Sequence, residues 1–364
     1  MESRRVYGLD ILRAYSIFTV VYAHGYDLVQ QHVNVATYML PATDGVTLFF
    51  VLSGFLIGNI ILRHVEEGKT SFPDLMNFWR RRWLRTIPNY VLVLTVLVAT
   101  ALGVGVPLPD KIPLYYLFLQ NFTTPHPAFF SEAWSLAVEE WFYLLFPLGL
   151  FCALRFARTL PAEVVLIGAF IFLPALLRLW RVETMDPRDL ATWVGTVKFQ
   201  VLTRLDSIIY GVLAALLLRR FSAIRAGWRR GLFAAGISLF LFDKAQLYIV
   251  AAPNYAYHFT LWVETIAAAL LLPQLVSIRT GSGPTFRLVT FTSKISYAIY
   301  LAHLSIVLLI LVPAIAQYAN LGMDGADSLA KYVVYWALAF GLATIIYRFY
   351  EQPILRLRDR FWPG

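Results

Sequence analysis

The sequence holds one cysteine, Cys152, among 364 residues. It can close no internal disulfide and offers no second thiol for a metal or redox pair. Charge is scarce too: Asp, Glu, Lys and Arg make up 15% of the chain, against roughly 25% in an ordinary soluble domain. There is no Gly-x-Ser-x-Gly elbow and no phosphate-cradling glycine loop, so a serine hydrolase and an ATP-driven pump both lack their local signals. No two histidines have metal-ligand spacing, and no metal site is expected. Short alternating strands are missing, which excludes a membrane β-barrel. Hydrophobic residues reach 59% instead, an excess that excludes a soluble globular enzyme.

Long apolar runs predict ten membrane helices, at residues 8–28, 46–62, 87–104, 136–154, 163–179, 205–218, 231–250, 259–278, 295–316 and 329–349. Ten spans use about 200 positions and leave about 160 for ends and connections. The fold class expected is therefore an all-α membrane protein, a polytopic bundle of about ten transmembrane helices forming a single domain over residues 1–364. The net charge of +9 could suggest nucleic acid. In so apolar a chain it is explained by basic residues in cytoplasmic loops, and no nucleic-acid partner is expected. The first run carries Arg13 and His24 and is not a cleaved leader. With both termini cytoplasmic, the inner loops hold about 22 of the 31 basic residues and the outer ones about eight. Five of those eight, Arg178, Arg181, Arg188, Lys198 and Arg204, crowd one connection after the fifth span, which marks it as a re-entrant or functional segment.

An ionisable group inside a span costs about 2.5–3.5 kcal/mol on insertion scales, so each asks for a partner or a function. Arg13 and His24 are eleven residues apart, three helical turns plus about 20°, and share one face about 16 Å apart along the axis. Arg13 near the inner mouth can hold phosphate, and His24 can act as base or nucleophile; equally, Arg13 can pair with Asp10 and snorkel while His24 serves packing. Arg82 and Arg85, in the basic run before the third span, share a face and suit bidentate phosphate binding, or simply follow the positive-inside rule. Trp134 to Tyr143 opens the fourth span with Glu139 and Glu140 pointing about 100° apart, so that one of them needs a basic neighbour. Arg204 and Asp206 at the sixth span, with Tyr297, Tyr300 and His303 on the ninth, form an inward polar stripe, or else a buried structural Arg–Asp pair and a satisfied core histidine.

Taken in order, these segments resemble the acyltransferase family 3 membrane proteins. The pieces are Gly8-Leu9-Asp10-Ile11-Leu12-Arg13 with His24; Asp44 leading into Phe49-Phe50-Val51-Leu52-Ser53-Gly54; Phe78-x3-Arg82-x2-Arg85-x2-Pro88; Trp134-Ser135-Leu136 with Glu139, Phe142 and Tyr143; Arg204-Leu205-Asp206 with Gly211; Ser296-Tyr297 with Tyr300-Leu301-x-His303; and Glu351-x-Pro353. The resemblance implies a membrane O-acyltransferase that takes acetyl from acetyl-CoA, without a metal, and passes it to a carbohydrate hydroxyl, free or lipid-linked. It implies His24 as the essential histidine with Glu139 and Asp44 as catalytic partners. Arg13, Arg82 and Arg85 would hold the CoA phosphates, and Arg204, Asp206, Tyr297, Tyr300, His303 and Trp134 would belong to the substrate-facing polar interior. Some members carry an extra span and a fused extracytoplasmic SGNH-type domain. This chain ends about fourteen residues after the tenth span, which leads to the expectation of a stand-alone enzyme in a bacterial inner membrane. The outer connection around residues 178–198, with Trp180 and Trp193, is a candidate sugar contact. Competing readings are a proton-coupled secondary transporter with a relay through His24, Arg204, Asp206 and His303, and acylation of a small glycoside such as a macrolide.

Overall fold

The computed structural model describes residues 5–39, 43–156, 162–185, 190–221, 224–250 and 252–362. Among these there are helices and no strand. Ten long helices match the ten apolar runs: α1 Tyr7–Gly25, α2 Gly45–Glu66, α3 Phe72–Gly103, α4 Ala133–Phe156, α5 Ala162–Thr184, α6 Leu205–Arg220, α7 Ala226–Lys244, α8 Thr260–Ser277, α9 Gly283–Ala302 and α10 Gly325–Ile346. Arg4, Arg158 and Arg188 lie outside the described residues.

Eight of the ten are long and apolar enough to cross a membrane by length and composition; α1 and α6 are the exceptions. In α1 the reason is the polar load of Asp10, Arg13 and His24. Helix α6 has only 16 residues, about 24 Å at 1.5 Å per residue, short of the roughly 30 Å apolar layer. One of its ends carries Arg219 and Arg220; the other carries Arg204 and Asp206, both fully buried. The short helix thus sets a charged cluster inside the bundle rather than at its surface.

Membrane helices associate through close packing and hydrogen bonds, since lipid is as apolar as their own side chains. The crossing of α2 and α6 shows this directly: a Cβ on Gly54 would stand 1.8 Å from the Ile208 carbonyl oxygen, and one on Gly211 would stand 2.0 Å from that of Val51. Helix α1 packs on α2, α8 and α9, and so lies among the elements that carry the other polar residues. Its first turn is tied to the end of α8 by Tyr7 N–H to Arg279 O at 3.3 Å and Gly8 N–H to Ile278 O at 2.9 Å. The start of α3 meets the C-terminal helix Gln352–Phe361, with the Arg81 guanidinium reaching Trp362 O and Asp359. The starts of α1 and α3 therefore share one end of the bundle, called here the basic end, with the end of α8 and the C-terminal helix.

Candidate active site

A cavity of about 770 Å³ opens at the basic end. Seven arginines line it, Arg5, Arg13, Arg63, Arg82, Arg85, Arg219 and Arg279, against the carboxylates of Asp10 and Glu139. Three are engaged. Arg5 forms a two-pronged pair with Asp10 at 2.7 and 2.8 Å, Arg219 bonds Glu66 and Asn59, and Arg82 donates to the Tyr143 hydroxyl at 2.5 Å with its guanidinium 4.0 Å over that ring. The side chains of Arg13, Arg63, Arg85 and Arg279 have no hydrogen-bond or ion-pair partner among the described residues. Asp10, the neighbour expected for Arg13, is taken by Arg5 and by the Ser293 hydroxyl at 2.7 Å. Four guanidinium groups thus line one cavity with no carboxylate of their own, an arrangement chemically suited to a polyanion.

Away from the basic end, the wall is built by Ser53, Ser135, Glu139, Tyr297 and Tyr300. Glu139 accepts the Ser53 hydroxyl at 2.8 Å and stands 3.8 Å from Arg82. Its neighbour Glu140 turns away to accept the Thr86 hydroxyl at 2.7 Å, as the 100° helical step dictates. Tyr297 donates to Thr86 O at 2.7 Å, and Tyr300 shares a 2.6 Å hydrogen bond with Ser135. Ser53 and Ser135 were not singled out in the sequence, although both are polar residues within the quoted motifs.

His24 and His303 come together from α1 and the continuation of α9, with His24 Nδ1 3.1 Å from His303 Nε2. Neither lines the cavity; Tyr300, which does, lies with its ring centroid 5.9 Å from that of His303. The surrounding carbonyls fix the protons. His303 Nδ1 faces Tyr300 O at 2.8 Å and Ile299 O at 3.2 Å, and a carbonyl can only accept, so Nδ1 carries the proton and Nε2 a lone pair. His24 Nδ1 faces Val20 O at 2.9 Å as well as that lone pair, so it too carries its proton. The remaining nitrogen, Nε2 of His24, keeps a free lone pair.

A second polar cluster lies at the opposite end. Asp44 caps α2 through the N–H groups of Val46 and Thr47, and its second oxygen stands 3.3 Å from Lys198. Arg204, fully buried, donates to the Thr47 hydroxyl at 3.0 Å, while its Nε and Nη1 have no hydrogen-bond partner. Asp206 pairs with Arg178, through bonds of 2.7 and 2.5 Å, and not with its sequence neighbour Arg204. Of the basic residues of this connection, Arg178, Lys198 and Arg204 are thereby held within the bundle. Trp134 is buried, stacked on Phe199 and edge-on to Phe50, outside the cavity. Trp193 is buried with its indole N–H donated to Tyr257 O, whereas Trp180 is exposed.

Among the described residues, eight helices long and apolar enough to cross a bilayer, packed around an arginine-lined cavity, define an integral multi-pass membrane protein. The chain belongs to the acyltransferase-domain family, whose model matches residues 6–348. It is 25% identical over 368 residues to the O-acetyltransferase OatA of Staphylococcus aureus, covering 95% of this chain and 57% of that protein. It is also 25% identical over 371 residues to the peptidoglycan O-acetyltransferase OatA of Listeria monocytogenes, covering 95% and 55%. The chain thus spans a little over half the length of the curated relatives it matches. No solved structure matches it.

Proposed function

We propose that the protein is a membrane O-acyltransferase that moves an acetyl group from acetyl-CoA to a hydroxyl of a cell-surface or exported polysaccharide, or of its lipid-linked precursor. One observation carries the reading: four unpaired guanidinium groups face a cavity whose wall includes Tyr300, and Tyr300 abuts the histidine pair. CoA is a polyanion with a long uncharged arm ending in the thioester. Arg13 and Arg85, with Arg82 held by Tyr143 and Glu139, suit its phosphates, and the arm would run toward Ser135 and Tyr300. The relatives' names, O-acetyltransferase and peptidoglycan O-acetyltransferase, support both the group transferred and a glycan acceptor.

The reaction needs a base for the acceptor hydroxyl and donors for the developing oxyanion. Nε2 of His24 takes the hydroxyl proton, and the acceptor oxygen attacks the thioester carbonyl carbon. The C–S bond then breaks, and the proton passes to the departing thiolate, restoring neutral His24. The oxyanion donor in this reading is the Ser135 hydroxyl, which turns from the Tyr300 hydroxyl to the oxyanion while Tyr300 stays on the Glu132 carbonyl. Glu139 holds the Arg82 side of the cavity, while Asp44, Lys198 and Arg204 form the polar approach for the acceptor from the opposite end. The transporter reading loses support because Asp206 is locked on Arg178, and no hydrogen bond among the described residues joins it to the histidine pair.

The test is turnover of acetyl-labelled acetyl-CoA by the purified protein in lipid vesicles, with a polysaccharide or peptidoglycan acceptor and, in parallel, a macrolide. Wild type is expected to release CoA and label the glycan. His24→Ala is expected to abolish release while still binding acetyl-CoA. A folded wild type that neither binds nor consumes acyl-CoA with any acceptor overturns the reading.

A further inference from the structure

Beside the histidine pair stands a carboxylate that the reaction above does not use. Glu132, just before α4, is 3% exposed. Its Oε1 accepts the Ser305 backbone N–H at 2.8 Å, and its Oε2 accepts the Ser305 hydroxyl. Its own carbonyl accepts the Tyr300 hydroxyl at 3.3 Å. Glu132 therefore grips the chain on both sides of His303.

The backbone between those two grips is not an ordinary α-helix. Helix α9 passes at His303 into a π-helical segment, His303–Leu311, and Ala302 at the junction has φ −110° and ψ −24°, away from the helical average near −63° and −42°. At such a junction the hydrogen-bond step lengthens from four residues to five, and backbone groups are left looking for partners. Here the Tyr300 carbonyl takes the ring N–H of His303, and the Ser305 N–H goes to Glu132. Within a membrane an unmet backbone N–H is expensive, so the partner that meets it decides whether the π-turn persists. A carboxylate, which only accepts, matches the two donors that Ser305 presents.

We propose that Glu132 is a positioning residue for the transfer reaction. Through its carboxylate on Ser305 it fixes the π-turn that aims His303 Nε2 at His24 Nδ1–H and so keeps Nε2 of His24 free to act as the base. The inference rests on the acyl-transfer role proposed for His24.

Two variants and two readouts test it. In Glu132→Gln the amide oxygen can still accept the Ser305 N–H, and the amide N–H can donate to the Ser305 hydroxyl. This variant is expected to keep kcat within about threefold and rescue what Glu132→Ala loses. Glu132→Ala is expected to lower kcat about 10²-fold, the scale of a misplacement of roughly 1 Å, and to leave KM for acetyl-CoA within about twofold because the arginine cavity is untouched. Independently of turnover, nitrogen NMR of histidine-labelled protein, assigned with His24→Asn and His303→Asn, is expected to show both rings protonated at Nδ1 in wild type and Glu132→Gln. In Glu132→Ala the His24 ring is expected to show a mixture of tautomers. Should Glu132→Ala not fold, Ser305→Ala, which keeps the backbone bond and removes the hydroxyl, is expected to give a smaller fall in kcat at constant KM. The proposal is overturned if Glu132→Ala keeps wild-type kcat and spectra, if the loss falls on KM, if Glu132→Gln is as impaired as Glu132→Ala, or if wild-type His24 is protonated at Nε2. Absence of acyl-CoA turnover in wild type would sink the acyl-transfer reading instead, and the NMR result tells the two failures apart.

Discussion

Arg13 and Arg85 owe their availability to the pairing of the carboxylates around them, Asp10 with Arg5 and Glu139 with Ser53 and Arg82. A hydrogen bond between charged groups contributes about 1.5–3 kcal/mol, which corresponds to roughly 10- to 150-fold in affinity. Replacing either arginine with Ala is therefore expected to raise KM for acetyl-CoA at least about 10-fold with little change in kcat, read by labelled-donor kinetics. Arg178 and Asp206 give a different residue-scale expectation, because both are buried and satisfied by each other. Arg178→Met leaves an unpaired buried carboxylate and should destabilise the protein by about 3–5 kcal/mol, whereas Arg178→Met with Asp206→Leu should recover most of that loss. Thermal unfolding in detergent separates the two. Helical spacing made the shared face of Arg13 and His24 legible in the sequence, and the divergence of Glu139 from Glu140 with it. Choice of partner was not legible. Asp10 selects Arg5, in the chain leading into α1, over the i+3 neighbour Arg13, while Asp206 selects Arg178 over Arg204 because α5 packs on α6.

The ten helices were readable because a bilayer demands about 20 apolar residues per crossing, and that demand leaves a long signal. Four π-helical segments among the described residues were not readable. Three of them end or begin at polar residues, Val194–Lys198 on Lys198, His303–Leu311 at His303 and Tyr347–Glu351 on Glu351, and the fourth, Ala245–Ile249, follows Lys244 directly. Such a distortion depends on tertiary partners for the displaced groups, as Glu132 provides for Ser305 and Asn89 for Glu351 at 2.7 Å. The α2–α6 crossing is the opposite case, since Gly54 and Gly211 announce a close approach but not which helix supplies the other side. A methyl group at Gly54 would overlap the Ile208 carbonyl. Gly54→Ala is accordingly expected to push the helices apart and lower stability by about 1–3 kcal/mol, read as a reduced melting temperature and as weakened acyl-CoA binding by the displaced Ser53 wall. A wild-type melting temperature would show that the crossing tolerates a methyl group.

At the scale of the whole molecule the two ends of the bundle differ chemically. The basic end holds the cavity with its seven arginines, and the opposite end holds Asp44, Lys198, Arg204 and the half-buried His24. A donor with several phosphates fits only the first. By the positive-inside rule that end, where the basic loops crowd, is the one expected to face the cytoplasm. Acetyl-CoA, which does not cross lipid, should therefore support turnover from one face alone. In sealed vesicles of known orientation, donor added to the face carrying the N-terminus should be consumed, and donor added to the other face should not. Salt gives an independent check on the same geometry. Screening shortens the Debye length from about 10 Å at 0.1 M to about 3 Å at 1 M, so a phosphate held by several guanidinium groups at a cavity mouth should bind more weakly as salt rises. KM for acetyl-CoA is expected to climb several-fold over that range, while acetyl-pantetheine, which lacks the phosphates, should bind weakly and show little salt dependence. Equal use of donor from both faces, together with identical salt responses for the two donors, would mean that the arginine cavity is not the entry for acyl-CoA.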